Sequence, residues 1–123
     1  MTILVLGGGA QGRVIAADLA TSLPHSEITV ADLRPPSLPA LPNLRWLEAD
    51  CSDPEAIARL LREHDLGVCA LPSRLGFGAL RAAIAAGRNL VDVSFSAEDP
   101  LALDGEARAG GVTLAPDCGL APG

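Results

Sequence analysis

Hydrophobic residues along the chain fall into six short runs, separated by segments with helical spacing. The runs are rich in valine, isoleucine and leucine, and most are continuously apolar rather than alternating. Such runs are typical of strands buried on both faces, and their alternation with helices predicts a parallel sheet with crossover helices. The pattern predicts an α/β fold with a doubly wound sheet in strand order 3-2-1-4-5-6. The six predicted strands are Ile3–Leu6, Ile28–Ala31, Leu44–Leu47, Leu66–Leu71, Leu90–Val93 and Val112–Ala115.

Helices are predicted between these strands from apolar spacing and from residues that start or stop helices. Ser52 is the predicted N-cap of one helix, since Pro54 follows early and Glu55 lies three residues after Ser52. The segment Arg34–Asn43 holds four prolines in ten residues, so a loop is expected in place of one crossover helix. The predicted helices are Gln11–Leu23, which Pro24 stops; one from Ser52 through Leu61; Gly78–Ala86, ended by Gly87; and Leu101–Ala109, ended by Gly110.

Length, charge and composition narrow the candidate functions. With 123 residues, of which 49% are hydrophobic, the chain can bury one core, so residues 1–123 are predicted to form one domain. The net charge is −6 and the nine arginines are scattered, which argues against a nucleic-acid or anionic-membrane surface. No lysine is present, so the chain has no lysine nucleophile or Schiff base. No apolar stretch approaches the about 20 residues of a membrane span, and a soluble protein is expected.

The three cysteines and two histidines do not indicate a disulfide framework or a metal site. Cys51, Cys69 and Cys118 are odd in number and widely spaced, and no export segment precedes the first apolar run. We therefore expect reduced thiols in a cytoplasmic protein. His25 and His64 lack a cysteine at the spacing that structural zinc needs. Both histidines are expected to be ordinary residues of a surface loop and a helix end.

A glycine-rich turn, Gly7-Gly8-Gly9-Ala10-Gln11-Gly12, lies between the first predicted strand and the first predicted helix. A G-x-G-x-x-G pattern alone is weak evidence, but this position is the one that the dinucleotide-binding turn of a Rossmann fold requires. Gly7 is predicted to make the tight turn, Gly9 to let the diphosphate approach, and Gly12 to let the helix pack on the strand. The helix N-terminus, with Ala10 and Gln11, would then offer free amides to the phosphates.

An acidic residue lies at the end of the second predicted strand. Asp32 is 20 residues beyond Gly12, where a carboxylate can accept hydrogen bonds from the adenosine ribose hydroxyls. Leu33 and Arg34 would flank the same ribose. A 2′-phosphate would meet the negative charge of Asp32 at close range, although Arg34 could offset part of that repulsion. The sequence therefore predicts NAD as the cofactor, with NADP as the alternative.

Residues at the other predicted strand ends are candidates for the same site. Asp50 is interpreted either as an acceptor for the adenine amine or as a turn and helix-entry acid, and both interpretations stay open. Cys51 is expected to be a small buried residue, since no nearby base would activate its thiol. Ala70, Leu71 and Pro72 would line the nicotinamide ribose side. No catalytic residue is assigned, because the polar residues after the fifth and sixth strands are expected to be turn and capping residues: Asp92, Ser94, Ser96 and Asp117.

Several of these segments together carry a resemblance to a known family. They are Leu4–Gly12, Ala49–Asp53, Ala70–Ser73, Val91–Ser94 and Pro116–Gly123. In these segments the chain resembles the saccharopine dehydrogenase and lysine dehydrogenase group, through its N-terminal NAD(P)-binding domain. The ending is the most specific part, because related enzymes carry a Gly-x-x-Pro-Gly turn after the sixth strand. The proline-rich loop and the lack of lysine depart from the family pattern.

The resemblance implies the NAD(P)-binding domain of an amino-acid oxidoreductase, with the family's substrate domain absent from residues 1–123. The chain alone would then bind a dinucleotide without catalysis, and apolar surface left for a docking domain could favour a homo-oligomer. Two other classes stay open. One is a regulatory Rossmann module that senses NAD or a nucleotide, which the ending disfavours. The other is a methyltransferase, whose glycine turn and second-strand acid look alike.

Overall fold

The computed structural model describes residues 1–119, in which six strands form one sheet. The strands are β1 (Thr2–Leu6), β2 (Glu27–Asp32), β3 (Leu44–Glu48), β4 (Leu66–Cys69), β5 (Asn89–Asp92) and β6 (Leu114–Ala115). Their order is β3-β2-β1-β4-β5-β6, and neighbouring strands run parallel. The predicted doubly wound α/β fold is therefore confirmed, and the direction of winding reverses between β1 and β4.

Helices connect most of the strands. The α-helices are α1 (Ala10–Ser22), α2 (Pro54–Arg62), α3 (Ser73–Ala86) and α4 (Asp104–Gly110), and a 3₁₀ turn (Pro100–Leu103) precedes α4. The bounds of α1 agree with the predicted helix to within one residue at each end. Residues 33–43 contain no helix, as the four prolines predicted. Within residues 1–119, no helix has the length and apolar character needed to cross a membrane.

The core consists of two apolar clusters, one on each face of the sheet. On one face, Ala16 and Ala20 of α1 pack against Ile3 of β1. On the other face, α2 and α3 cover Leu4 and Leu6 of the same strand. Successive residues of a strand point to opposite faces, so β1 is buried on both sides. Burial of each of these large side chains contributes about 1.5–3 kcal/mol, which anchors the glycine turn that follows β1.

The strand β3 differs from the prediction of burial on both faces. Its residues are exposed or half-buried, and the Trp46 side chain is 38% exposed. β3 lies at the edge of the sheet, where the loop of residues 33–43 stands in place of a helix. Leu38 and Leu41 of that loop pack against the core, and both are only half-buried. An edge strand without a covering helix stays accessible to water, so an apolar run alone did not determine its burial.

The helix α3 begins at Ser73, five residues before the predicted start at Gly78. Glycine generally disfavours the helical state, and this helix contains both Gly76 and Gly78. The structure shows why Gly76 lies inside it: a Cβ there would overlap the hydroxyl of Ser94 and lie 3.2 Å from a carboxylate oxygen of Asp92. Close packing of α3 on the residues at the end of β5 therefore requires a small residue at this helical position.

Two predicted helix ends are wrong by one residue. Asp53, not Ser52, caps α2, because its side chain accepts a hydrogen bond from the amide of Glu55 at 3.0 Å. At the end of α4, Gly111 rather than Gly110 takes the left-handed conformation, with φ of +67°. In both places the predicted type of end is correct, and the backbone geometry selects the neighbouring residue.

The histidine that follows α2 is not a surface residue. His64 is buried, with 6% of its surface exposed, and its Nδ1 lies 2.7 Å from the carbonyl oxygen of Leu60. Its carbonyl in turn accepts a hydrogen bond from Nε of Arg88 at 2.8 Å. His64 therefore packs the end of α2 against the start of β5, whereas His25 is exposed in its loop as expected.

Candidate functional site

A crevice of about 630 Å³ lies at the carboxyl edge of the sheet. Segments that follow β1, β2, β3 and β4 all line it. It therefore includes the point between β1 and β4 where the winding reverses. Ligands of open α/β sheets bind at such switch points, because the loops after neighbouring strands diverge there.

The glycine turn forms one wall of this crevice. Gly7 has φ of +95°, in the left-handed region, and a Cβ there would lie 2.7 Å from the carbonyl oxygen of Ala70. A Cβ at Gly12, in the first turn of α1, would overlap the carbonyl oxygen of Gly7. Only glycine avoids both the strain and the overlap. The tight turn and the close approach of α1 to β1, predicted from the spacing, are therefore present.

Gly9, by contrast, faces open space. A Cβ at this position would meet no atom within 4 Å. Gly9 is the N-cap of α1, and this helix has no side-chain cap and no acidic residue in its first turn. The first four amides of a helix lack partners within it, and they carry the positive end of the helix dipole. The crevice is therefore bordered by unpaired backbone donors.

Gly8, the second glycine of the turn, is in close contact with β2 and the loop that follows it. A Cβ at Gly8 would lie 2.8 Å from Cβ of Pro36 and 3.2 Å from Cγ1 of Val30. The amide of Gly8 donates a hydrogen bond to Oδ2 of Asp32 at 2.7 Å. The proline-rich loop therefore packs directly against the turn, and the backbone of the turn is tied to the acid at the end of β2.

Asp32 is half-buried and lines the crevice at the end of β2. Besides the bond from Gly8, its Oδ1 accepts a hydrogen bond from the amide of Arg34 at 3.3 Å. Each carboxylate oxygen has two lone pairs, so both retain capacity for another donor. Its backbone carbonyl accepts a hydrogen bond from Nε1 of Trp46 at 3.0 Å. The carboxylate is therefore oriented by the protein itself.

Asp50 and Cys51 lie in the turn between β3 and α2. Oδ1 of Asp50 accepts hydrogen bonds from the amide and the hydroxyl of Ser52, at 3.0 and 2.6 Å, and these bonds hold the pKa of Asp50 below its ordinary value. Burial raises the pKa of the Cys51 thiol to about 11, with a further contribution from the charge of Asp32. The thiol is therefore protonated at neutral pH, and the prediction of a small buried cysteine is confirmed.

Most of the residues predicted to contact the cofactor come together in this crevice. β4 ends at Cys69, so Ala70–Pro72 form the turn into α3 rather than the end of a strand. The predicted residues that line the crevice are Gly7, Gly9, Ala10, Gln11, Asp32, Leu33, Asp50, Cys51, Ala70, Leu71 and Pro72.

Two predicted residues do not line the crevice, and several lining residues were not predicted. Gly12 is buried beneath the turn, and the side chain of Arg34 is exposed outside the crevice wall. The additional lining residues are Ala49, Ser52, Arg74 and Leu75. Arg74 precedes the predicted start of the helix at Gly78, and in the structure it lies in the first turn of α3 and lines the crevice.

The polar residues after β5 and β6 stabilise turns. Oδ1 of Asp92 accepts hydrogen bonds from the amide and the hydroxyl of Ser94, at 2.8 and 2.7 Å. Asp92, Ser94 and Ser96 are nevertheless buried rather than surface residues, and Asp117 has φ of +56°, as a turn residue can. Among residues 1–119, no group of three or more histidine, cysteine, aspartate or glutamate side chains is placed to hold a metal ion.

Comparison with protein families identifies the type of domain. The family model of the saccharopine dehydrogenase NADP binding domain matches residues 3–115, which is nearly the whole chain. The segment quoted for the Gly-x-x-Pro-Gly resemblance, Pro116–Gly123, lies wholly beyond this match, which therefore does not test it. Of that ending, residues 120–123 lie outside the described part of the chain.

Solved structures share the fold. Apo saccharopine dehydrogenase (L-Glu forming) from Saccharomyces cerevisiae matches with a TM-score of 0.78 and 21% identity, over 99% of this chain and 28% of that one. A putative oxidoreductase from Bacteroides fragilis matches with a TM-score of 0.72 and 20% identity, over 94% of this chain and 36% of that one. Uronate dehydrogenase from Agrobacterium tumefaciens, crystallised with NAD, matches with a TM-score of 0.55 and 27% identity, over 74% of this chain and 39% of that one.

This chain therefore aligns with less than two-fifths of the length of each of these three proteins. The family match, the strand order and the glycine turn at the switch point agree with one another. The chain belongs to the family of saccharopine dehydrogenase NADP binding domains, and it is an NAD(P)-binding domain of the oxidoreductase type.

Proposed function

We propose that this chain binds NAD in the crevice and serves as the cofactor domain of an amino-acid oxidoreductase. The observation that carries the proposal is the geometry at Gly9, where the glycine turn opens on free space beside the uncapped N-terminus of α1. A diphosphate needs both a backbone without side chains and unpaired amides, and the crevice supplies the two together.

The residues of the crevice suggest how the dinucleotide lies. The diphosphate would approach Gly9 and the amides of Ala10 and Gln11, which line the crevice at the start of α1. The adenosine ribose would donate its hydroxyls to Asp32, with Leu33 and Arg34 beside it. Asp50 would then accept a hydrogen bond from the adenine amine, while keeping its bonds to Ser52. The nicotinamide ribose would lie along the turn formed by Ala70–Pro72.

Charge favours NAD over NADP in this arrangement. Asp32 lies where a ribose 2′-phosphate would be placed, and like charges at close range repel. The side chain of Arg34, the nearest cation in sequence, is exposed and does not line the crevice. Its amide donates a hydrogen bond to Asp32, so Arg34 offsets part of this repulsion, and Asp32 remains the group that favours NAD. The name of the family mentions NADP, and our proposal for this member is NAD because of Asp32.

When bound, the nicotinamide cofactor supplies the hydride, and this chain orients it. The residues described in the crevice wall include no lysine, histidine or tyrosine, which are frequent proton donors in enzymes. We therefore propose that the 123-residue chain by itself binds the cofactor and does not oxidise an amino acid. A dehydrogenase rate on lysine or saccharopine from this chain alone would contradict the proposal.

Calorimetric titration with NAD and NADP tests the cofactor assignment. The chain is expected to bind NAD more tightly than NADP, and Asp32→Asn is expected to narrow the difference by about tenfold, since it removes the charge and keeps an acceptor oxygen. Asp18→Asn, on an exposed part of α1, is the matched control. S-adenosylmethionine, which has no diphosphate, is the control ligand for the methyltransferase alternative.

Preferential binding of NADP by the native chain would refute the role given to Asp32. Failure to bind either dinucleotide would refute the proposed site. Tight binding of S-adenosylmethionine would instead support the methyltransferase alternative.

A further inference from the structure

One cationic side chain lines the crevice opposite the glycine turn, and the functions proposed so far do not use it. Arg74 lies in the first turn of α3 and is exposed. Among the lining residues of the described chain, it is the one with a positive charge. Within residues 1–119, its side chain makes no hydrogen bond or ion pair, and the ion pair found there joins Arg108 to Asp104.

The two acids of the crevice do not need this arginine. Asp32 accepts hydrogen bonds from the amides of Gly8 and Arg34. Asp50 accepts from the amide and hydroxyl of Ser52. Both carboxylates therefore have neutral donors of their own, and neither forms an ion pair with the guanidinium of Arg74.

Charge in the crevice favours such a cation for the binding of a dinucleotide. The crevice holds the carboxylates of Asp32 and Asp50, and the chain carries a net charge of −6. A diphosphate would bring two further negative charges next to these acids. Amides of α1 offset part of this repulsion, but they carry only partial charge. The guanidinium of Arg74 supplies the full positive charge that is otherwise missing from the wall.

The end of α3 on which Arg74 lies also suits an anion. Pro72 is its N-cap and makes no side-chain cap, and the first turn contains no acidic residue. The helix α2 differs, because Asp53 caps it and Glu55 lies in its first turn. The positive ends of α1 and α3 therefore border the same crevice without a side chain that neutralises either of them.

We infer that Arg74 pairs with the diphosphate of the bound dinucleotide from the side opposite the glycine turn, and so selects ligands that carry a diphosphate. This inference rests on the proposed function of the crevice. Arg74 acts as a binding residue in it, with no part in the chemistry of hydride transfer. Because the side chain is exposed, its contribution depends strongly on ionic strength.

The test compares Arg74→Gln with Arg81→Gln in the full chain. Arg81 is an exposed arginine of the same helix, and it lies in the groove between α2 and α3 instead of the crevice. At low ionic strength, Arg74→Gln is expected to raise the Kd for NAD and for ADP-ribose about fivefold, and the effect is expected to shrink to less than about twofold near 1 M salt. Arg81→Gln is expected to change neither Kd.

Adenosine, which lacks the diphosphate, separates a direct contact from a structural effect. Its affinity, followed by NMR titration, is expected to be equal in the native chain and in Arg74→Gln. The affinity of Arg74→Lys for NAD and ADP-ribose should lie between that of the native chain and that of Arg74→Gln, because lysine keeps the charge without the bidentate geometry of arginine. Matching thermal unfolding of the variants checks that each is folded.

The outcomes distinguish this inference from the proposed function. If the native chain binds NAD and Arg74→Gln binds it as tightly, the inference is wrong while the site stands. If Arg74→Gln weakens the binding of adenosine and of ADP-ribose equally, the pairing with the diphosphate is wrong. It is also wrong if Arg74→Gln weakens the binding of NAD but leaves the binding of ADP-ribose unchanged. If the native chain binds no dinucleotide, the proposed function fails, and the inference fails with it.

Discussion

The open space at Gly9 predicts that a substitution there weakens the binding of NAD and changes the free energy of unfolding only slightly. Gly9 has φ of −75°, which any residue can adopt, and a Cβ there would meet no atom within 4 Å. Gly9→Ala is therefore expected to fold with little strain. Because alanine is a poorer N-cap than glycine, we expect a loss of about 0.5–1 kcal/mol in the free energy of unfolding, or about 2–4 °C in Tm.

The same methyl group should nearly abolish binding. It would project into the space where the diphosphate approaches the backbone, so the hydrogen bonds between the amides and the phosphate would lengthen or break. A hydrogen bond to a charged group contributes about 1.5–3 kcal/mol, which corresponds to about a tenfold to a hundredfold rise in the Kd for NAD. Calorimetric titration measures this Kd, and thermal unfolding of the same sample measures Tm.

Gly12→Ala and Gly105→Ala provide the contrasts. At Gly12 a Cβ would overlap the Gly7 carbonyl oxygen and lie 2.8 Å from its carbon, whereas carbons ordinarily approach to about 3.5–4.0 Å. α1 would have to move away from β1 by about 1 Å, which lowers the free energy of unfolding by about 1–3 kcal/mol. The helix propensity of alanine offsets less than about 1 kcal/mol of this loss. Gly105, in α4, has no neighbour within 4 Å of its Cβ and does not line the crevice. Gly105→Ala is expected to leave the Kd for NAD nearly unchanged and to raise Tm slightly, since alanine favours the helical state by less than about 1 kcal/mol and meets no neighbour there.

Two results would refute this reasoning. Native affinity for NAD in a folded Gly9→Ala chain would mean that the diphosphate does not lie at the glycine turn. A larger loss of stability in Gly9→Ala than in Gly12→Ala would mean that the packing of the turn has been misread.

Further predictions concern thiols and pH. Cys118 is exposed, whereas burial raises the pKa of Cys51 to about 11 and that of Cys69 to about 12. Iodoacetamide at pH 8 should therefore modify one cysteine of the native chain and three of the unfolded chain. Mass spectrometry counts the modified cysteines. Hydrogen bonds from the amide and hydroxyl of Thr2 lower the pKa of Asp65 below its ordinary value of 3.8. The stability that these bonds contribute is fully present when the pH is above the ordinary pKa. It is lost as the pH falls through the lowered pKa. Asp65→Asn should therefore flatten the fall in Tm below about pH 4, and an unchanged pH profile would contradict this.

Some features followed from local sequence because they depend on neighbouring residues only. The six apolar runs, the glycine turn between β1 and α1, and the proline-rich loop were all predicted. Backbone sterics decide such features: proline removes an amide from a helix, and a left-handed turn admits glycine. The acid Asp32 was also predicted, since its distance along the chain from the glycine turn places it at the end of β2.

Other features depended on contacts between segments far apart in the chain. The sequence placed the start of α3 five residues too late, and packing against Asp92 and Ser94 makes a small residue necessary at Gly76 inside the helix. β3 was predicted from an apolar run like the other strands, and its place at the edge of the sheet leaves it more exposed than most of them. Local propensity is worth about 1 kcal/mol per residue and gives way to tertiary packing of this kind.

The amino-acid sequence by itself determined the alternation of strands and helices that is typical of a Rossmann fold, the glycine turn, and the acid at the end of β2, because each follows from a short pattern along the chain. Only the tertiary structure decided that Arg74 faces the same crevice, that Arg34 does not line it, and that Gly9 alone of the turn opens on free space. An exposed arginine carries no local signal of its partner. Its role depends on which strand ends the parallel sheet brings together, and that is a property of the whole fold.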